Sequence, residues 1–131
     1  MFGSGVADEG RRRVLVVDEE SIVLDFIALV LTRADYGALA TRSPREALSL
    51  FYDHAPELAL MLLDVATVGC REFIDKLPTL NPRIPVILMS GLGEYEEPKT
   101  LTFDFPVLRK PFHAADLDIS VRTLALLEPA S

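Results

Sequence analysis

Five side chains able to do acid, base or phosphate chemistry follow apolar runs. Asp18 and Glu19 come after Val14–Val17, Asp64 after Leu58–Leu63, Ser90 after Val86–Met89, and Lys110 after the run from Phe105 to Arg109. Taken singly each has an ordinary reading. Glu19 and Glu20 favour a helix N-terminus, Ser90 can cap, and Lys110 can be a solvated charge. Agreement across four strand ends is harder to assign to chance. Carboxylates crowded on one sheet edge repel and raise one another's pKa. A divalent cation and a lysine remove that cost. Hard oxygen ligands suit Mg²⁺, with Asp18, Glu19 and Asp64 as its side-chain ligands. A carboxylate beside such a cation can attack phosphorus, and Asp64 is the candidate nucleophile. Lys110 and Ser90 would share with the cation the charge on the equatorial oxygens. The product would be an acyl phosphate on Asp64.

Such a cluster needs strands that end together. Val14–Val17, Leu58–Leu63 and Val86–Met89 are continuous apolar runs, the pattern of strands buried on both faces of a parallel sheet. Gly37–Thr41 reads as a short strand and Phe105–Arg109 as the fifth. Between them lie helical patterns. Ile22, Phe26, Ile27, Val30 and Leu31 recur at helical spacing. Ser43-Pro44-Arg45-Glu46 reads as a capping box with proline in the first turn, followed by Ala47, Leu48 and Phe51 on one face. After a turn at Gly69, Glu72–Leu80 reads as a helix, and His113–Glu128 closes the chain with Leu117, Val121, Leu124 and Ala125 inward. The acidic, proline-broken segment Glu94–Pro98 predicts a short or distorted fourth helix. Alternating strands and helices imply an α/β fold, doubly wound, with a parallel sheet and helices on both faces. In such sheets ligands sit beyond the carboxyl ends of the strands, where the five candidate residues lie.

The chain's 131 residues fit one domain, read as a tail over 1–10, a domain over 11–128 and a short end over 129–131. The domain reaches the end of the chain with no following linker or DNA-binding region, so it is expected to stand alone or to be cut from a larger regulator. A net charge of −7 argues against direct nucleic-acid or anionic-membrane binding. Cys70 is the lone cysteine, so no internal disulfide forms and a cysteine-based zinc site is excluded. No apolar stretch is long enough to span a bilayer, and the first ten residues lack a secretory pattern, so a reducing cytoplasm is expected. Asp18-Glu19-Glu20 is electrostatically the opposite of a dinucleotide phosphate cradle. A phosphatase of the haloacid dehalogenase type would need a second aspartate where Ala66 stands. His54 and His113 lie away from the strand ends and read as solvated or packing residues. Arg11-Arg12-Arg13 reads as a solvated lead into the first strand rather than a docking patch.

Four motifs in order resemble the response-regulator receiver domain of two-component signalling. They are Val14-Leu15-Val16-Val17-Asp18-Glu19-Glu20, Met61-Leu62-Leu63-Asp64, Pro85-Val86-Ile87-Leu88-Met89-Ser90-Gly91 and Arg109-Lys110-Pro111-Phe112, and the likeness runs from Arg13 to Leu127. The resemblance implies a flavodoxin-like strand order 2-1-3-4-5 and a cis peptide before Pro111. It implies Mg²⁺-dependent phosphorylation of Asp64 by a histidine kinase or phosphotransfer protein, with the Ala66 carbonyl as a further metal ligand. It also implies a switching surface around the fourth and fifth strands and helices, through which a homodimer can form. On this reading the chain is a phosphoacceptor with slow self-catalysed phosphorylation and dephosphorylation, not a turnover enzyme. Departures from the family pattern are Glu19 for the commoner Asp, Val68 for proline, and Val107 at the usual aromatic switch position, where Phe105 on the same face can partly substitute. Ala66 and Leu92 offer no side chain to orient a hydrolytic water, which predicts slow self-dephosphorylation. The alternative is an unphosphorylated receiver-like module that binds a partner through its last helix, with Leu126 and Leu127 as contacts.

Overall fold

The computed structural model describes residues 11–80, 83–91 and 105–125. The chain runs β1 (Arg13–Val17), α1 (Ser21–Arg33), β2 (Gly37–Thr41), α2 (Pro44–His54), a 3₁₀ turn (Ala55–Glu57), β3 (Leu58–Asp64), α3 (Cys70–Leu80), β4 (Val86–Ser90), β5 (Val107–Arg109) and α4 (Ala114–Ala125). The strands form one sheet, ordered β2-β1-β3-β4-β5. Every neighbouring pair is parallel. This is the expected doubly wound order. The helix expected between β4 and β5, with Leu92, the 1–10 tail, Leu126 and Leu127, lies outside the described residues.

Strand alternation divides the interior into two layers. Leu15, Val17, Met61, Leu63, Val86 and Leu88 face α2 and α3, meeting Phe51, Phe73, Ile74 and Leu77. Val14, Val16, Leu60, Leu62, Ile87 and Met89 face α1 and α4, meeting Ile27, Leu31, Leu117 and Val121. Both faces of β1, β3 and β4 are thus covered, which is why their sequences are apolar without alternation. Each fully buried Leu, Ile or Met contributes about 1.5–3 kcal/mol of apolar transfer. The central strands hold the frame on which the site is built.

Three local expectations change. The buried stripe of α1 is Leu24, Ile27, Ala28, Val30 and Leu31, whereas Ile22 is 77% exposed and Phe26 37%. Ile22, Phe26 and Leu29 recur at i, i+4 and i+7 and form a second stripe, turned away from the sheet. Helix α3 starts at Cys70 rather than Glu72, because Gly69 takes a φ of +90° and turns the chain straight into the helix. The α2 cap is half of the expected box. The Ser43 hydroxyl accepts from the Glu46 amide at 3.2 Å, but Glu46 turns its carboxylate to the Thr41 hydroxyl. Thr41 Oγ1 in turn takes the Ser43 amide at 3.1 Å.

The arginines brace the far end of the sheet. The Arg12 guanidinium donates to the carbonyls of Pro56 and Leu58 at 3.2 and 3.0 Å, and Arg13 pairs with Glu57 at 3.3 Å. His54 also reaches Glu57, at 3.4 Å, and the His113 amide is held by Asp116 at 3.0 Å. None of these lies among the strand ends that carry the carboxylates.

Candidate functional site

The chain leaves β1 at Asp18, whose amide still bonds the Thr41 carbonyl at 3.2 Å, so Asp18 is fixed by the sheet itself. Its Oδ1 accepts the Glu20 amide at 2.9 Å, turning the chain into α1. Asp64 is the last residue of β3 and is paired with Met89 of β4. Lys110 follows β5, and its amide donates to the Ser90 carbonyl at 2.8 Å. The Lys110–Pro111 peptide is cis, as expected.

Lys110 bridges the two acids. Its Nζ lies 2.7 Å from Asp18 Oδ2 and 3.1 Å from Asp64 Oδ1. Both carboxylates are buried, at 0% and 3% side-chain exposure, while the Lys110 side chain keeps 19%. Burial pushes the Asp18 pKa up and the neighbouring Asp64 charge adds to this, against the pull of Lys110 and the Glu20 amide. Burial acts against the Lys110 ammonium, but its bonds to Asp18 and Asp64 outweigh that and raise its pKa. Asp18 thus remains disfavoured as an anion even beside the lysine.

The second Asp64 oxygen is also held. Thr67 Oγ1 donates to Asp64 Oδ2 at 2.7 Å, and the same oxygen accepts the Glu19 amide at 3.0 Å. Thr67 is itself buried, at 4% exposure. Arg42 Nε donates to the Glu19 carbonyl at 2.8 Å, so the backbone of Glu19 is held on both sides of its Cα.

Of the sequence candidates, Asp18, Asp64 and Lys110 come into direct contact. Ser90 is buried at the end of β4, but its hydroxyl donates to the Gly91 carbonyl at 3.1 Å rather than to the acids. Glu19 and Ala66 stand exposed on the rim. Among the described residues no three His, Cys, Asp or Glu side chains are gathered as a metal cluster. The donor chemistry nevertheless suits a hard divalent cation. Asp18 and Asp64 are buried oxygen donors that share the Lys110 ammonium, with exposed Glu19 next to Asp18 in the chain and exposed Ala66 two residues beyond Asp64.

No family model matches the chain. The nitrogen assimilation regulatory protein NtrX of Azorhizobium caulinodans is 30% identical over 109 residues, covering 77% of this chain and 23% of that protein. The regulatory protein AtoC of Escherichia coli is 26% identical over 120 residues, covering 88% of this chain and 26% of that protein. The solved structure of the Francisella response regulator 1452 receiver domain superposes with a TM-score of 0.78 at 23% identity, over 91% of this chain and 100% of that one. The chain belongs to the response-regulator receiver domains. It spans about a quarter of the length of the two curated relatives, 23% and 26%.

Against the receiver pattern, the site and its surroundings divide. Phe105 and Val107 pack against the same apolar layer, so the phenylalanine shares the face of the missing aromatic but lies two residues back. Val68 is 86% exposed in the loop after Asp64. That loop keeps its turn through Gly69. Sequence reasoning missed Thr67 altogether. A Thr three residues beyond an acid, in a loop closed by glycine, is a signal for a side chain that bonds back locally. Its second bond, to the Glu19 amide, joins positions 48 residues apart and could be seen only in the fold.

A groove of about 480 Å³ borders the site, lined by Glu20, Ile22, Val23, Phe26, Lys110, Pro111 and Phe112. The Phe26 and Phe112 rings meet at 6.1 Å on its wall.

Proposed function

We propose that this receiver accepts a phosphoryl group on Asp64 from a phosphohistidine of a histidine kinase or phosphotransfer protein. The observation that carries the reading is the Lys110 ammonium bridging two buried carboxylates at 2.7 and 3.1 Å. A carboxylate buried against an ammonium has shed most of its water, a condition that favours attack on phosphorus. An Asp64 oxygen forms a bond to phosphorus while the donor's P–N bond breaks. The departing imidazole nitrogen keeps that electron pair. Lys110 is placed to follow the charge onto the phosphoryl oxygens. Asp18, Glu19, Asp64 and the Ala66 carbonyl would hold Mg²⁺, which when bound supplies charge neutralisation for the transferring group.

The Ser90 hydroxyl faces Gly91 in this state, and its turning toward a phosphorylated Asp64 is the step that would bias the surface around β4 and β5, including any homodimer formed there. The apolar groove beside Lys110, with Ile22, Phe26 and Phe112, gives a donor protein a surface next to the acceptor. The setting is a reducing cytoplasm, which suits the buried thiol of Cys70. Among the described residues no helix is long and apolar enough to cross a membrane. With only alanine at position 66, loss of the phosphoryl group to water is slow, and a half-life of seconds would contradict this.

The test is incubation with Mg²⁺ and acetyl phosphate followed by intact mass. One added phosphoryl group in the wild type and none in Asp64→Asn supports the reading. No gain in the wild type would instead favour an unphosphorylated interaction module.

A further inference from the structure

The Thr67 hydroxyl joins the loop after β1 to the acid that ends β3. Its oxygen accepts the Glu19 amide at 3.0 Å, and an amide can only donate. The direction of the second bond follows. The single hydroxyl proton is left for Asp64 Oδ2, 2.7 Å away. Thr67 is 4% exposed, so no bulk water competes for either bond. Glu19 is also held through its carbonyl, in the next peptide, by Arg42 Nε at 2.8 Å. The hydroxyl is therefore oriented before any chemistry begins, and it acts on one carboxylate oxygen only. Lys110 holds the other oxygen, Oδ1, at 3.1 Å.

Resting on the phosphoacceptor reading, we propose that Thr67 is a positioning residue that reserves Asp64 Oδ2 as the non-reacting oxygen and shortens the lifetime of the acyl phosphate formed on Oδ1. When Oδ1 bonds to phosphorus, Oδ2 becomes the acyl carbonyl oxygen and the Thr67 hydroxyl still donates to it. In hydrolysis water forms a bond to phosphorus, the Oδ1–P bond breaks, and Asp64 leaves as a carboxylate with the electron pair. The attacking water's protons pass to inorganic phosphate and solvent. Negative charge returns to the carboxylate early in a loose transition state. A hydrogen bond to a carboxylate is about twice as strong as one to a neutral carbonyl. Thr67 thus stabilises the departing carboxylate more than the acyl phosphate and speeds its release. Attack in the forward direction involves little bond formation to the nucleophile, so the forward rate depends on Thr67 less.

The experiment compares wild type with Thr67→Val, Thr67→Ala and Thr67→Ser. Each is phosphorylated with acetyl phosphate in Mg²⁺, freed of donor, and followed by intact mass. Thr67→Val keeps the side-chain shape without the hydroxyl, and Thr67→Ala removes the hydroxyl with less steric demand should the valine fail to fold by circular dichroism. Thr67→Ser keeps the hydroxyl. The expected result is hydrolysis roughly five-fold slower in the hydroxyl-free variants, equivalent to about 1 kcal/mol, with serine restoring the wild-type rate. The proposal is overturned if hydroxyl-free and wild-type lifetimes agree within two-fold, or if serine is as slow as alanine. Equal lifetimes with full phosphorylation sink the Thr67 role alone. Absence of any mass gain in the wild type sinks the acceptor reading and this proposal with it.

Discussion

Replacing Lys110 by methionine removes the ammonium that Asp18 and Asp64 share while keeping a side chain of similar length. Breaking a buried charge pair by removing one partner costs about 3–5 kcal/mol. Here the loss has a ceiling, because one carboxyl can protonate instead. At pH 7 the ordinary carboxyl value of 3.8 lies about three pH units away, and at about 1.4 kcal/mol per unit the ceiling is about 4 kcal/mol. The Lys110 side chain keeps 19% exposure, which places the expected loss at about 2–4 kcal/mol. That is a large share of a typical domain's 5–15 kcal/mol.

The sign of the pH dependence follows from the same groups. A carboxyl whose folded pKa is raised, as for Asp18, stabilises the fold below its unfolded value of 3.8 and loses that contribution as pH rises through the folded value. In Lys110→Met that folded value rises further, so the deficit relative to wild type grows from acid to neutral pH. At pH 5 the ceiling falls to about 1.6 kcal/mol. Lys110 in the wild type is also raised, from 10.5, and contributes fully across this window, since its contribution is lost only as pH rises through the folded value above 10.5. Urea unfolding of both proteins in EDTA at pH 5 and pH 7 measures the difference. A deficit that is the same at both pH values would refute the electrostatic account and leave only lost packing of the lysine stem.

Two further outcomes follow from local geometry. Gly69→Ala is expected to cost about 1 kcal/mol in urea unfolding, because φ there is +90° while an added Cβ meets the Pro44 ring at ordinary distances of 3.5 and 3.8 Å; no loss would show that the turn relaxes freely. Cys70 is fully buried and its thiol is pushed up to about 12, chiefly by burial, so iodoacetamide at pH 8 should leave it unmodified in the native protein and alkylate it in urea. Equal labelling in the two states would contradict this.

Much of the fold was legible along the chain because buried parallel strands leave an unmistakable residue pattern. Three central apolar runs, each followed by a polar side chain, located Asp18, Asp64 and Ser90, and the run from Phe105 to Arg109 located the fifth strand, which the fold shortens to Val107–Arg109. The face of α1 was misread for a definite reason. Helical spacing admits two apolar stripes, and only packing against the sheet decides that Leu24 and Leu31 go inward while Ile22 and Phe26 stay out. The α2 cap failed in the same way, since Thr41 offered Glu46 a partner that a four-residue motif cannot contain.

The sequence by itself determined the residue types at the strand ends, and with them the charge that must be neutralised and the chemistry open to Asp64. It did so because strand periodicity and side-chain chemistry are local properties. Which groups touch was decided only by the tertiary structure. Lys110 meets Asp18 across 92 positions and Asp64 across 46, and Thr67 meets the Glu19 amide across 48. Those contacts exist because parallel strands with right-handed crossovers bring one end of every strand to the same edge, and no local pattern encodes a distance across that edge.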